Sequence, residues 1–294
     1  GAGQDFNGVA PGADIIGVNV FSLFTDVAFC DSFNYAAPCT LAFSSDQIRG
    51  HEWVLSLAED TNNGFNVAAI NMSLGGLGQY GGGNSSGLAT FVAADSRVAS
   101  YVNQQGTTIV ASAGNSGLDL NGTIINVPGG LPGIMNVAAT GIQPAPRFPF
   151  PGSFDIQAFY SNQGASVTIA APGGDCGQIG TCNADRPADW FEYLVLSSVV
   201  APDPVCGATA SCPVGWGWKA GTSMAAPVVS GVAALIWGLD TDLSAKKLKK
   251  ILVKSANELD ELSIMMGTER IFLADILRNP AIISAENAAQ DLIR

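Results

Sequence analysis

The sequence predicts an α/β protein: a mainly parallel sheet covered by helices on both faces, three layers in all. Two patterns and the composition carry that expectation. Short runs rich in β-branched residues alternate with longer helix-like segments, and the strand-like runs are apolar almost throughout rather than every second residue, as strands buried on both faces are. With 47% hydrophobic and 13% charged residues, the 294-residue chain can bury one large core and is read as one domain over 1–294.

The expected strands, in order, are "ADIIGVNVF" (13–21), "FNVAAINMS" (65–73), "GTTIVASAG" (106–114), "GIMNVAAT" (133–140) and "ASVTIAAPG" (165–173). Helices are expected at 45–60, where Ser45 and Asp46 supply capping groups, and at 87–105. After residue 173 comes a Gly/Pro/Cys-rich region, read as two loop insertions around the short strand "YLVLSSVV", and then a strand that leads into "GTSMAAPVVSGVAAL" (221–235). From Met224 to Leu239 no polar face interrupts the apolar residues, so this helix is expected to be buried on all sides. Ser223 stands at its N-terminal end. There, unpaired backbone N–H groups and the helix dipole favour negative charge; alternatively, Ser223 is simply an N-cap.

In parallel sheets the sites lie at the carboxyl ends of strands. Two of these ends carry polar punctuation: Ser73-Leu74-Gly75-Gly76, and Gly114-Asn115-Ser116-Gly117. Taken alone, each could be a turn, Asn115 being a common turn residue.

The formal charge of −12, from 25 acidic and 13 basic residues, argues against nucleic acid or an anionic membrane as partner. Gly231 and Gly238 break the most apolar stretch before it reaches the ~20 residues of a membrane span. The first residues, "GAGQDFNGVAPGADI", have no signal-peptide pattern and read like the middle of a domain. Six cysteines form three close couples: Cys30 with Cys39, Cys176 with Cys182, and Cys206 with Cys212. Even numbers at short separations point to local disulfides and an oxidising compartment, hence a secreted or extracellular parent protein. A zinc site is the alternative, but it usually takes CxxC spacing with histidine, and the chain has one histidine.

Gly221-Thr222-Ser223-Met224-Ala225-Ala226-Pro227, Ala113-Gly114-Asn115-Ser116-Gly117, Asn71-Met72-Ser73-Leu74-Gly75-Gly76 and Gly8-Val9-Ala10-Pro11-Gly12-Ala13 stand in the order found in subtilases. From about residue 7 to about residue 275 the chain resembles these subtilisin-like serine peptidases, and the 221–227 segment is the specific part of the match. The resemblance implies a three-layer αβα subtilisin-like fold and a Ser223 nucleophile, with an oxyanion hole made by the Asn115 side chain and the Ser223 N–H. It also implies a polypeptide substrate paired along Ser73-Leu74-Gly75. The side chain before the scissile bond would enter a roomy apolar pocket beside Gly75, Gly76 and Ala111 to Gly114, Ala113 among them. No cofactor is needed for such chemistry. Structural calcium is admitted by the resemblance, although Gly1 to Gly8 offers no nameable ligand set.

The family's triad runs Asp, His, Ser, and its first two members belong upstream of the segment that begins here at Gly8. The expectation is therefore a partial catalytic domain, lacking the family's N-terminal strands, one of them central between 13–21 and 65–73, and the helix that bears the histidine. His51, the chain's one histidine, falls in a peripheral helix of the family and is read as solvated. On this reading the chain belongs to an active secreted endopeptidase but is inactive alone. The alternatives are a non-catalytic subtilase-like module and a hydrolase of another fold, the latter disfavoured because "GTSMA" departs from the G-x-S-x-G elbow.

Overall fold

The computed structural model describes residues 8–33, 35–59, 65–79, 85–141, 156–175, 194–200, 214–258, 263–266, 269–272 and 281–282. In chain order the elements are β1 (Ser22–Phe24), α1 (Val27–Asp31), β2 (Cys39–Leu41), α2 (Ser44–Glu59), β3 (Ala69–Met72), β4 (Gly76–Gln79), α3 (Ser85–Gln104), β5 (Thr108–Ser112), β6 (Ile124–Val127) and β7 (Ile134–Gly141). There follow β8 (Ile156–Gln157), β9 (Ile169–Pro172), β10 (Val195–Val200), β11 (Val214–Lys219), α4 (Thr222–Leu239), α5 (Ala245–Lys254), β12 (Asn257–Glu258), β13 (Ser263–Met266), β14 (Glu269–Phe272) and β15 (Ala281–Ile282).

The main sheet has the order β12-β15-β9-β7-β5-β3, and the four strands β9, β7, β5 and β3 run parallel to one another. All five residues of β5 and all eight of β7 are buried, which explains sequences that are apolar but for Thr108, Ser112, Asn136 and Thr140. One layer lies under α4 and α5, where Val110, Val137, Ile169, Val229, Ile236 and Leu248 pack together. The other lies under α2 and α3, where Leu55, Met72, Val102, Ile109 and Ile134 pack. Residues alternate between the two layers along each strand, so β3 sends Met72 toward α2 and Asn71 toward α4, where Ser230 Oγ bonds Asn71 Oδ1 at 3.2 Å.

Three expectations are corrected. Residues 13–21 form no strand: only 22–24 pair, with β2, and Ile15 is 94% exposed. Val18 and Val20 instead lie against Gly50 of α2, and with no strand at 13–21 to bracket a central strand, β3 is the last strand of the described sheet. A β-branched run becomes a strand only where a partner edge lies beside it. Second, α4 is buried on the face toward the sheet and α5, with Leu235 and Leu239 exposed on the other; among the described residues, Val9 and Ala10 also reach it, at Gly231. By length and composition α4 is apolar enough to cross a membrane, and its packing on four parallel strands accounts for that composition. Third, His51 is buried, as described below.

Cys30 and Cys39 are joined, with Cα atoms 5.8 Å apart, and brace α1 against β2. The other two cysteine couples lie outside the described residues.

Candidate active site

The site is built where β3, β5 and α4 meet. β5 ends at Ser112 and the chain turns through Gly114 with φ +97°, a left-handed conformation that glycine adopts without a Cβ penalty. A Cβ there would also lie 2.5 Å from Nδ2 of Asn162, so the turn admits only glycine. Asn162, fully buried, stitches this turn: its Oδ1 accepts from the N–H groups of Ser116 and Leu118, and its Nδ2 donates to the Ala113 carbonyl. The next residue, Asn115, is thereby held at the rim.

Thr222, the first residue of α4, fixes the Asn115 amide. Its backbone N–H and Oγ1 both donate to Asn115 Oδ1, at 2.9 and 2.8 Å, while its Oγ1 accepts from Gly114 N at 3.0 Å. With Oδ1 occupied twice, Nδ2 is turned outward. It lies 3.5 Å, and Ser223 N 3.6 Å, from the point a Cβ on Gly221 would occupy, with Met224 Sδ 3.7 Å from the same point, so two donors and a thioether border the space that glycine leaves there. Such an arrangement can hold an oxyanion.

Ser223 is half-buried at the helix start, with its carbonyl accepting from Ser73 Oγ at 2.8 Å. Its hydroxyl is 3.5 Å from the Ser73 carbonyl oxygen, long for an O–H···O bond. Asn71 Nδ2 donates to Ser73 Oγ at 2.9 Å, completing a chain from Ser230 to Ser223. Thus Ser73, Gly114, Asn115 and Ser223 are brought together, and with Leu74, Gly75 and Gly76 they line one groove of about 280 Å³. Ala113 lies fully buried behind it.

The groove departs from the apolar pocket expected. Its wall includes Ser112, Ser116, Asn126 and Asn162, with Leu74 and Leu77 as the larger apolar side chains, and no described residue lining it is charged. Asn126 and Asn162 escaped sequence reasoning because neither stands in one of the quoted motifs; topology alone carries β6 and the 158–163 turn to the groove.

His51 is 2% exposed on the α2 face that also buries Val54 and Leu55. Its Nε2 lies 3.2 Å from Met72 Sδ, and its Nδ1 3.8 Å from Oδ1 of fully buried Asp95 on α3. Burial lowers the His51 pKa to about 4 and raises that of Asp95 to about 6, so near neutrality the imidazole carries no charge. This pair belongs to the α2/α3 layer, whereas Ser223 heads α4 on the opposite face of the sheet. The described partners of the His51 ring are Met72 and Asp95, and those of Ser223 include Ser73; no described contact joins His51 to the Ser223 hydroxyl. Among the described residues no three His, Cys, Asp or Glu side chains gather as a metal site would require, and positions 1–7 lie outside the described residues.

A model of the subtilase family matches residues 1–270. The chain belongs to the subtilase family. Among curated relatives of this subtilase, an extracellular basic protease of Dichelobacter nodosus is 31% identical over 195 residues, 65% of this chain and 24% of that protein. Subtilisin-like protease 1 of Arthroderma gypseum is 27% identical over 197 residues, 67% of this chain and 29% of that protein. The match thus spans about a quarter of the length of these relatives. Among solved structures, the nisin leader peptidase NisP of Lactococcus lactis aligns with TM-score 0.58 and 16% identity over 85% of this chain and 63% of that one. A protease of Pseudoalteromonas arctica aligns at TM-score 0.55 and 24% identity, over 85% and 59%. These likenesses establish the three-layer α/β fold.

Proposed function

We propose that this subtilase is the serine-bearing part of an endopeptidase, in which Ser223 attacks a peptide carbonyl and Asn115 Nδ2 with the Ser223 N–H stabilises the resulting oxyanion. The observation that carries the reading is the convergence of those two donors on one open space beside the serine, with Thr222 locking the amide in place. The N-terminus of α4 adds its dipole at the point where negative charge develops. An extended polypeptide would lie along Ser73-Leu74-Gly75, exchanging backbone hydrogen bonds as an added strand.

A serine hydroxyl at neutral pH is a weak nucleophile without a base. With the chain's one histidine buried between α2 and α3, the base that activates Ser223 is expected from polypeptide other than these 294 residues, and this chain alone is expected to be inactive. The buried disulfide and the extracellular protease among the relatives support a secreted parent. A non-catalytic peptide-binding module is the second reading, favoured by the same location of His51. Hydrolysis of a fluorogenic peptide by the full-length protein, abolished by Ser223→Ala with folding intact, is the outcome expected. Undiminished hydrolysis by Ser223→Ala would remove the assignment.

A further inference from the structure

The floor of the groove holds a polar group that the proposed reaction does not use. Asn126, on β6, is 2% exposed, and its Nδ2 donates to the Ser112 carbonyl at 2.7 Å, which fixes the orientation of the amide. Asn126 lines the groove, and its Oδ1 lies 3.4 Å from the point a Cβ on Gly75 would occupy, behind the Val127 carbonyl oxygen at 2.8 Å, and 3.3 Å from the corresponding point on Gly114, behind Asn162 Nδ2 at 2.5 Å. The carbonyl oxygen thus faces the slot between the two glycines, and no described protein group donates to it. Asn162, beside it, has its Oδ1 and one amide hydrogen bonded within the fold and offers the slot no comparable acceptor.

A peptide laid along Ser73-Leu74-Gly75 with its scissile carbonyl at Ser223 sends the preceding side chain into this slot, between the 73–76 and 112–115 segments. We propose, on the basis of the peptidase reading above, that Asn126 is a specificity-determining residue, selecting before the scissile bond an uncharged side chain that ends in a hydrogen-bond donor. An apolar side chain of the same shape would displace water from the Asn126 carbonyl and leave it unpaired, which a site built to bond its substrate penalises. Among the described lining residues an ammonium or guanidinium would find no carboxylate. A carboxylate would face the carbonyl oxygen with like polarity. Glutamine, reaching as far as methionine but carrying an amide, fits the slot's chemistry.

The test uses the full-length protein and two fluorogenic peptides identical except for Gln or Met before the scissile bond. Wild type is expected to cleave the Gln peptide with kcat/KM about tenfold higher, the scale of one well-made buried hydrogen bond. Asn126→Leu should bring that ratio to one or below while still cleaving the Met peptide. The wild-type ratio decides even if the variant fails to fold. Equal or better cleavage of the Met peptide by wild type, or an unchanged ratio in Asn126→Leu, overturns the inference while leaving the peptidase reading intact. No hydrolysis of either peptide, with no reaction at Ser223, overturns both.

Discussion

Asn115 Oδ1 receives two hydrogen bonds from the same residue, Thr222, at 2.8 Å from the hydroxyl and 2.9 Å from the backbone. Because the hydroxyl also accepts from Gly114 N, one side chain joins the turn, the amide and the helix start. Thr222→Val keeps the shape and removes the hydroxyl. On the proposed peptidase reading it should lower kcat of the full-length protein about tenfold with KM little changed, because the oxyanion exists mainly in the transition state. Thr222→Ser should recover most of the loss. Asn115→Leu should cost more; in subtilisin the oxyanion asparagine is worth roughly 10²–10³ in kcat. Steady-state kinetics separate the outcomes: a rise in KM with kcat unchanged would make Asn115 a turn residue only.

Gly114 and Gly106 share φ +97° but differ in surroundings. A Cβ at Gly106 meets nothing within 4 Å, whereas at Gly114 it meets Asn162 Nδ2 at 2.5 Å. Gly106→Ala should therefore cost about 1–2 kcal/mol from backbone conformation alone. Gly114→Ala should cost visibly more, about 2–4 kcal/mol, as the clash disrupts a buried hydrogen-bonded side chain. Denaturant midpoints of the two variants check the order, and equal losses would show that Asn162 yields freely.

His51 and Asp95 have opposite linkage to pH. In the unfolded chain at pH 5, histidine (6.5) holds a proton and aspartate (3.8) does not; in the fold, burial reverses this, with values of about 4 and about 6. The pair binds nearly the same number of protons in either state, so its contribution to stability changes little between pH 4 and 6. Asp95→Asn leaves the lowered histidine, whose contribution is full above pH 6.5 and is lost as pH falls toward 4. His51→Leu leaves the raised carboxyl, whose contribution is full below pH 3.8 and is lost as pH rises toward 6. Unfolding free energies relative to wild type at pH 4, 5 and 6.5 should slope in opposite directions for the two variants. Parallel profiles would contradict the assignment.

Cys30 and Cys39 close a short loop, and replacing both by serine should cost about 2–3 kcal/mol on chain-entropy grounds. Non-reducing peptide mapping of the full-length protein, expressed under oxidising conditions, should recover this link, and also Cys176–Cys182 and Cys206–Cys212. Free thiols at the latter four would limit the oxidised framework to the first loop.

The parallel core was legible in the sequence because β5, β7 and most of β9 are buried on both faces and read as nearly continuous apolar runs, and the 221–227 segment puts Ser223 at the start of α4. Residues 13–21 carry the same β-branched signal but no neighbouring edge, and sequence composition does not encode partners. His51 was misjudged although its spacing with Val54 and Leu55, three and four residues on, marks one helix face; the polarity of histidine masked that periodicity. Asn126 belongs to a two-stranded pairing of β4 with β6 that no local pattern announces, since its register joins residues some fifty positions apart.

The role of Ser223 is tested most directly by the site of covalent labelling. The full-length protein is treated with a fluorophosphonate, which reacts with a serine only where a base activates it and an oxyanion hole receives the phosphoryl oxygen. Digestion and mass spectrometry should place the adduct on Ser223, with labelling lost in Ser223→Ala and strongly slowed in Asn115→Leu. An adduct on any other serine, or undiminished labelling of Ser223→Ala, would contradict the assignment of Ser223 as the nucleophile.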